Sequence, residues 1–226
     1  MQYIPKIASE AIGTYCLVFA GCGAVVVGDL YGTLDTLGIG LIFGLIVMAM
    51  IYSIGDISGA HINPAVTIAF WLAKRFEGKL VAPYVVAQII GAILAAYTLH
   101  FLFLDHETLG STIPSGTWQQ SFILEFLLTA ILMFVVLRVS SKGSSAGVMA
   151  GTAIGATVAV EAIFAGPVSG ASMNPARSIG PALASQTFDH LWIYIVATIL
   201  GALFAVALNW VIQWTPNDEG ESKPEN

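Results

Sequence analysis

Apolar residues fall in long, nearly unbroken runs, and polar residues gather in short clusters between them. Six runs are long enough to cross a bilayer as helices: 7–28, 37–55, 80–103, 118–139, 146–165 and 190–213. Small residues recur inside them, among them Gly91, Ala92, Ala95 and Ala96, which suits close helix packing in lipid. The expected fold class is an all-α membrane protein with six transmembrane helices.

Two shorter segments break this pattern. Residues 58–66 read SGAHINPAV and residues 169–177 read SGASMNPAR, at a constant offset of 111. In each, Pro follows Asn, and Asn is a good N-cap for a helix whose first turn tolerates Pro. The spacing predicts two re-entrant half-helices, 63–74 and 174–184. At 1.5 Å per residue each reaches about halfway through a bilayer. The two would meet near the midplane, where non-helical backbone survives only if protein buries it or water lines it.

The repeat extends beyond these segments. Glu10 and Thr14 match Glu125 and Thr129 at an offset of 115, and Tyr84, Ala87 and Gly91 match Tyr194, Ala197 and Gly201 at 110. Each half holds three spans, an odd number, so the halves enter the membrane from opposite faces as an inverted repeat. The expected division is 1–108 for the first half and 109–214 for the second, together one pore domain. A polar linker occupies 106–120, and an acidic tail, 215–226, is expected to be disordered.

Composition agrees. The chain is 57% hydrophobic and 10% charged, with a mean hydropathy of +0.83, against about 25% charged in soluble domains. Lys6, Lys74, Arg75, Lys79, Arg138, Lys142 and Lys223 fall on one side of a six-span topology, which places both termini in the cytoplasm. The net charge of −6 and the lack of a basic cluster argue against a nucleic-acid partner. The first run is too long for a signal peptide and leads into a second span. Cys16 and Cys22, six residues apart on one helix, suit neither a disulfide nor a metal site. No nucleophile–base pair, cofactor loop or metal constellation emerges, so neither an enzyme nor a cofactor is expected.

With SGAHINPAVTIAF (58–70) and AGPVSGASMNPARSIGPA (165–182) in hand, the chain resembles an aquaporin of the major intrinsic protein family over residues 5–214. Within that family it resembles the nodulin-26-like branch and its bacterial relatives. The resemblance implies a homotetramer in the lipid bilayer, one pore per subunit, in a plasma (inner) membrane. It implies pore motifs at Asn63, Pro64, Ala65 and at Asn174, Pro175, Ala176, whose Asn amides donate to passing solute while helix dipoles repel cations. It implies a constriction of Phe43, Ala162, Ala171 and Arg177. Arg177 is the break in symmetry, since Val66 holds its place in the first half, and an Arg at membrane depth is usually functional.

Two Ala in that constriction argue for a pore wider than a strict water filter. Ser178, where glycerol facilitators typically carry Asp, and Ala182 resemble water channels, while Tyr194 and Ile195 resemble the nodulin-26-like pattern. The expected function is a passive channel for water and small neutral solutes such as glycerol that excludes protons and ions. The alternatives are a glycerol or metalloid-hydroxide facilitator with low water flux and, from another class, a secondary transporter built on inverted repeats.

Glu10 and Glu125, costly inside a membrane, are read as structural acids accepting N–H bonds from the chain before each half-helix. A proton relay is the rival reading, disfavoured by their symmetry. Asp56 stands near the cytoplasmic mouth, either biasing the vestibule or as a solvated loop acid. His61 is placed at the inner vestibule. Glu161, beside Ala162, has no acidic counterpart in the first half and pairs either with a loop group or with the pore wall.

Overall fold

A computed structural model describes residues 3–140 and 148–213. Six long helices, α1 (Ile4–Tyr31), α2 (Thr36–Ser58), α4 (Val81–Leu102), α5 (Trp118–Val139), α6 (Ala150–Ser169) and α8 (Leu191–Gln213), lie on the six apolar runs. All six are long and apolar enough to cross a membrane, α4 together with the short 3-10 turn Gly78–Leu80 before it. Two short helices, α3 (Pro64–Leu72) and α7 (Pro175–Ser185), are the half-helices. No strand occurs among the described residues. The acidic tail, Lys142 and Lys223 lie outside the described residues, as does the expected start of the fifth span at 146.

Boundaries differ where local chemistry outweighs hydropathy. The fifth span runs to Ser169 and not to 165, passing through Pro167. A proline in the last turn removes one N–H donor without breaking the helix, and Gly170, left-handed at φ 85°, then ends it. In α3 the helix stops at Leu72, short of 74, and Lys74 turns back with φ 58°.

Both half-helices start by one device. Asn63 is extended (φ −157°), and its side-chain oxygen accepts from Ala65 N at 2.9 Å. Asn174 (φ −151°) accepts from Ala176 N at 3.0 Å and Arg177 N at 3.3 Å. Pro64 and Pro175 occupy the first helical position, where no N–H is missed. Nine and eleven residues give helices of roughly 14 and 16 Å, so two placed end to end cross one membrane.

In lipid, helices gain little by hiding apolar surface from one another, so close backbone contact must supply the association energy. Glycines provide it at repeat-related places. A Cβ on Gly91 of α4 would collide with the Ala11 carbonyl of α1, and one on Gly201 of α8 with the Phe126 carbonyl of α5. The pseudo-twofold axis passes where α2 meets α6: a Cβ on Gly155 would lie 2.6 Å from Gly44 O, and one on Gly44 would strike Gly155 O. Leu45, Ile90, Leu94, Phe101, Ile123 and Ile131 are exposed on the outside of the bundle, a surface matched to hydrocarbon. Lys6, Lys74, Arg75, Lys79 and Arg138 gather at one end, called here the basic end.

Because the obstacle at Gly201 is backbone, Gly201→Leu is expected to cost at least about 3 kcal/mol, the upper range for overpacking. Gly166→Ala, with nothing within 4 Å of the new Cβ, should stay within about 1 kcal/mol of wild type. Thermal unfolding of the two purified variants in detergent checks both.

Candidate functional site

The chain entering each half-helix carries three left-handed residues, the first two of them adjacent. Gly59, Ala60 and Ile62 have φ of 91°, 47° and 43°, and Gly170, Ala171 and Met173 have 85°, 41° and 54°. Left-handed backbone disfavours residues with a Cβ, a β-branched Ile above all. Such residues cost of order 1–3 kcal/mol each and persist only where the surroundings dictate them.

Two carboxylates dictate them. Glu10 Oε1 accepts from His61 N at 2.9 Å, and its Oε2 accepts from Ile62 N at 2.7 Å. Glu125 repeats this with Ser172 N and Met173 N, each at 2.9 Å. Both acids are fully buried. Hydrogen bonds to a charged group are worth about 1.5–3 kcal/mol, the same size as the backbone strain they oppose. Gln88 Nε2 braces Glu10 at 2.7 Å, and Ser169 Oγ donates to Glu125 at 2.7 Å. Gln88 was not singled out from the sequence, because its repeat partner at offset 110 is Thr198, a different residue type.

With its N–H groups turned toward α1 or α5, each loop is free to turn carbonyls the other way, and two of these tie the halves together. Asn63 Nδ2 donates to Met173 O at 2.7 Å, and Asn174 Nδ2 donates to Ile62 O at 2.8 Å. Each amide thereby uses one of its two N–H groups across the pseudo-twofold axis. One N–H per Asn remains, and both residues line the central cavity.

That cavity has a volume of about 1040 Å³. It runs from the basic end, past Asp56 and Arg75, between Asn63 and Asn174, to Phe43 and Arg177. One wall is polar, made by the two loops and the Asn residues. The other is aliphatic, with Val47, Ile51, Leu132, Val136, Ile154 and Val158.

Arg177 lies in the first turn of α7 and is only 3% exposed. Its guanidinium donates through Nη1 to Gly110 O at 2.7 Å, and Cζ lies 5.1 Å from the Phe43 ring centroid. Among the described residues no carboxylate lies within ion-pair distance of it, and Nε has no hydrogen-bond partner. Its charge therefore faces the cavity uncompensated at contact distance. Phe43, Ala171 and Arg177 line the cavity together. Ala162 is buried on α6 but does not line it; Val158, one turn away, does. The Gly110 carbonyl that holds Arg177 gave no sequence signal beyond a glycine in a polar linker.

Asp56 is exposed and lines the cavity at the basic end. His61 lines it too, its ring 4.7 Å from both Phe70 and Phe76 and its Nδ1 3.2 Å from Thr67 Oγ1. Glu161 is buried, lies off the cavity wall, and neither carboxyl oxygen has a partner among the described residues.

Six spans around two half-helices that meet N-terminus to N-terminus beside a membrane-depth cavity are the construction of an integral membrane pore. The chain belongs to the major intrinsic protein family, whose description matches residues 1–209. It is 43% identical to Nodulin-26 of Glycine max over 224 residues, covering 98% of this chain and 83% of that protein. It is 47% identical to Aquaporin NIP1-2 of Arabidopsis thaliana, with 95% and 76% covered. The X-ray structure of the aquaglyceroporin from Plasmodium falciparum superposes with a TM-score of 0.83 at 25% identity, covering 91% of this chain and 95% of that one.

Glu125→Leu would leave two buried backbone N–H groups unpaired, at about 1–3 kcal/mol each, with the loop strain unopposed. The expected outcome is a loss of at least about 3 kcal/mol of stability in thermal unfolding, with Glu125→Gln intermediate because its one oxygen replaces two.

Proposed function

We propose that this chain is a passive channel conducting water and small neutral solutes such as glycerol while excluding protons and ions. The observation that carries the reading is the crossed pair of Asn amides. Each spends one N–H on the opposite loop and keeps one for the cavity. Two fixed donors at one level occupy both acceptor sites of a passing water and orient it, which interrupts a proton-conducting file. The aliphatic wall opposite offers no competing bond, so solute moves past the polar loops in single contacts.

The N-termini of α3 and α7 point at the same place and add positive potential. Arg177 adds a whole charge near the far end. Pore width, lining donors and such electrostatic barriers are the established means by which aquaporin-type channels select. We take Phe43, Ala171 and Arg177 as the constriction, with Ala162 behind it as the small residue that keeps it wide. Glu10 and Glu125 serve as structural acids, since their oxygens are filled by backbone and side-chain donors. A transporter needs a substrate or ion site with charged or unwound-carbonyl ligands; this cavity presents two neutral Asn amides beside such carbonyls, and flux without saturation or ion coupling is the expected mark of a channel.

The two halves, 1–108 and 109–214, act as one pore. The basic end faces the cytoplasm by the positive-inside rule, with both termini there. The working assembly is a homotetramer in the plasma (inner) membrane.

Osmotic swelling of proteoliposomes tests the reading: water and glycerol are both expected to cross, and glycerol exclusion with intact water flux would refute the wide-pore part. A unit charge roughly 6 Å away at an effective dielectric near 20 raises a cation's energy by about 3 kcal/mol. Arg177→Val is therefore expected to raise cation or proton leak by up to about 100-fold, read with a pH-sensitive dye inside the vesicles.

A further inference from the structure

We infer that Gly21 of α1 is a specificity-determining positioning residue: by leaving out a side chain it seats the Phe43 ring and so sets the width of the constriction. The inference rests on the constriction proposed above. A Cβ built on Gly21 would overlap Phe43 Cε1 and Cδ1 and stand 2.6 Å from Cζ. The ring thus lies in the recess that the missing side chain leaves. Its other side meets Arg177, 5.1 Å from the centroid. With Ala162 and Ala171 small, Phe43 is the one bulky side chain in the proposed constriction facing Arg177, and the depth to which it recedes into α1 fixes the gap.

The internal repeat shows the trade. Gly21 corresponds to Val136 (21 + 115 = 136) and Phe43 to Ile154 (43 + 111 = 154). Both counterparts line the other end of the same cavity. In the second half two medium aliphatic groups share the space. In the first half a large ring takes all of it, and Gly21 yields its share. The next residue of α1 completes the seat. Cys22 packs under Gly110, where an added Cβ would lie 3.0 Å from Cys22 Cβ and 3.2 Å from its Cα. Gly110 O is the acceptor that holds Arg177 at 2.7 Å. One turn of α1 therefore places both the aromatic group and, through Gly110, the guanidinium.

Helix α1 is held in backbone contact with α4 at Ala11 and Tyr15, against Gly91, which limits its movement as a rigid body. The ring is then expected to move toward Arg177 and the cavity. The test measures glycerol and water permeability of proteoliposomes carrying wild type, G21A, G21A/F43L, and G23A as a control. A Cβ on Gly23 meets only the end of the Leu99 side chain, at 3.2 Å. Once the permeability of protein-free liposomes is subtracted from each, the ratio of the two permeabilities does not depend on how much protein folds. In G21A the glycerol-to-water ratio is expected to fall at least five-fold. In G21A/F43L it should return to within two-fold of wild type, and G23A should stay there throughout. A smaller fall in G21A, a fall that the double variant leaves in place, or an equal fall in G23A overturns the inference. If wild type passes water and no glycerol, the solute reading fails separately. Water permeability per folded channel then decides: a three-fold loss in G21A with recovery in the double variant supports the seat, and any other result overturns it.

Discussion

The structure depends on pairing backbone N–H groups where no water reaches them. Two four-residue stretches, 59–62 and 170–173, leave helical geometry at membrane depth, and such backbone is intolerable in lipid unless protein satisfies it. Glu10 and Glu125 do so, each carboxylate taking two successive N–H groups. Ile62 and Met173 take left-handed conformations where their N–H groups, with those of His61 and Ser172, meet these carboxylates. The carbonyls are then left to face inward and across, where Ile62 O and Met173 O receive the Asn amides. Strain, buried charge and polar cavity wall are one arrangement seen from three sides.

That arrangement is symmetric, and a symmetric pore has no intrinsic way to treat its two ends differently. The differences come from single residues set into matched frames. Arg177 replaces Val66 in the first turn of a half-helix and brings an uncompensated charge. Phe43 replaces Ile154 and brings a ring for the guanidinium to rest against. Each change is accommodated by a neighbour outside the cavity wall: Gly110 supplies the acceptor for Arg177, and Gly21 the space for Phe43. On the proposed reading of the constriction, selectivity extends one layer behind the residues that solute touches.

The helix bundle makes this precision possible. Gly91 against Ala11, Gly201 against Phe126, and Gly44 against Gly155 bring backbones into direct contact. Backbone contacts cannot relax by changing rotamer, so the long helices form a rigid frame around the loops. The pairs also obey the repeat, so one packing solution is used twice.

Taken alone, the sequence determined the architecture. Six apolar runs, the 111-residue offset between the two NPA segments, and the matched Glu10 and Glu125 dictate an inverted repeat with two half-helices, because hydropathy, capping chemistry and the odd span count are local or arithmetic properties. It misjudged the end of the fifth span and of the first half-helix, where a cap and not hydropathy decides. The tertiary structure decided which groups meet. Gln88 behind Glu10, the crossed bonds from Asn63 to Met173 and from Asn174 to Ile62, and the hold of Gly110 on Arg177 join residues from 67 to 112 positions apart. No periodicity encodes such pairs. It also separated residues that look alike in sequence, leaving Ala171 on the cavity wall and Ala162 off it. Which face of a helix a small residue presents depends on rotation about the helix axis, and only packing against the other helices fixes that angle.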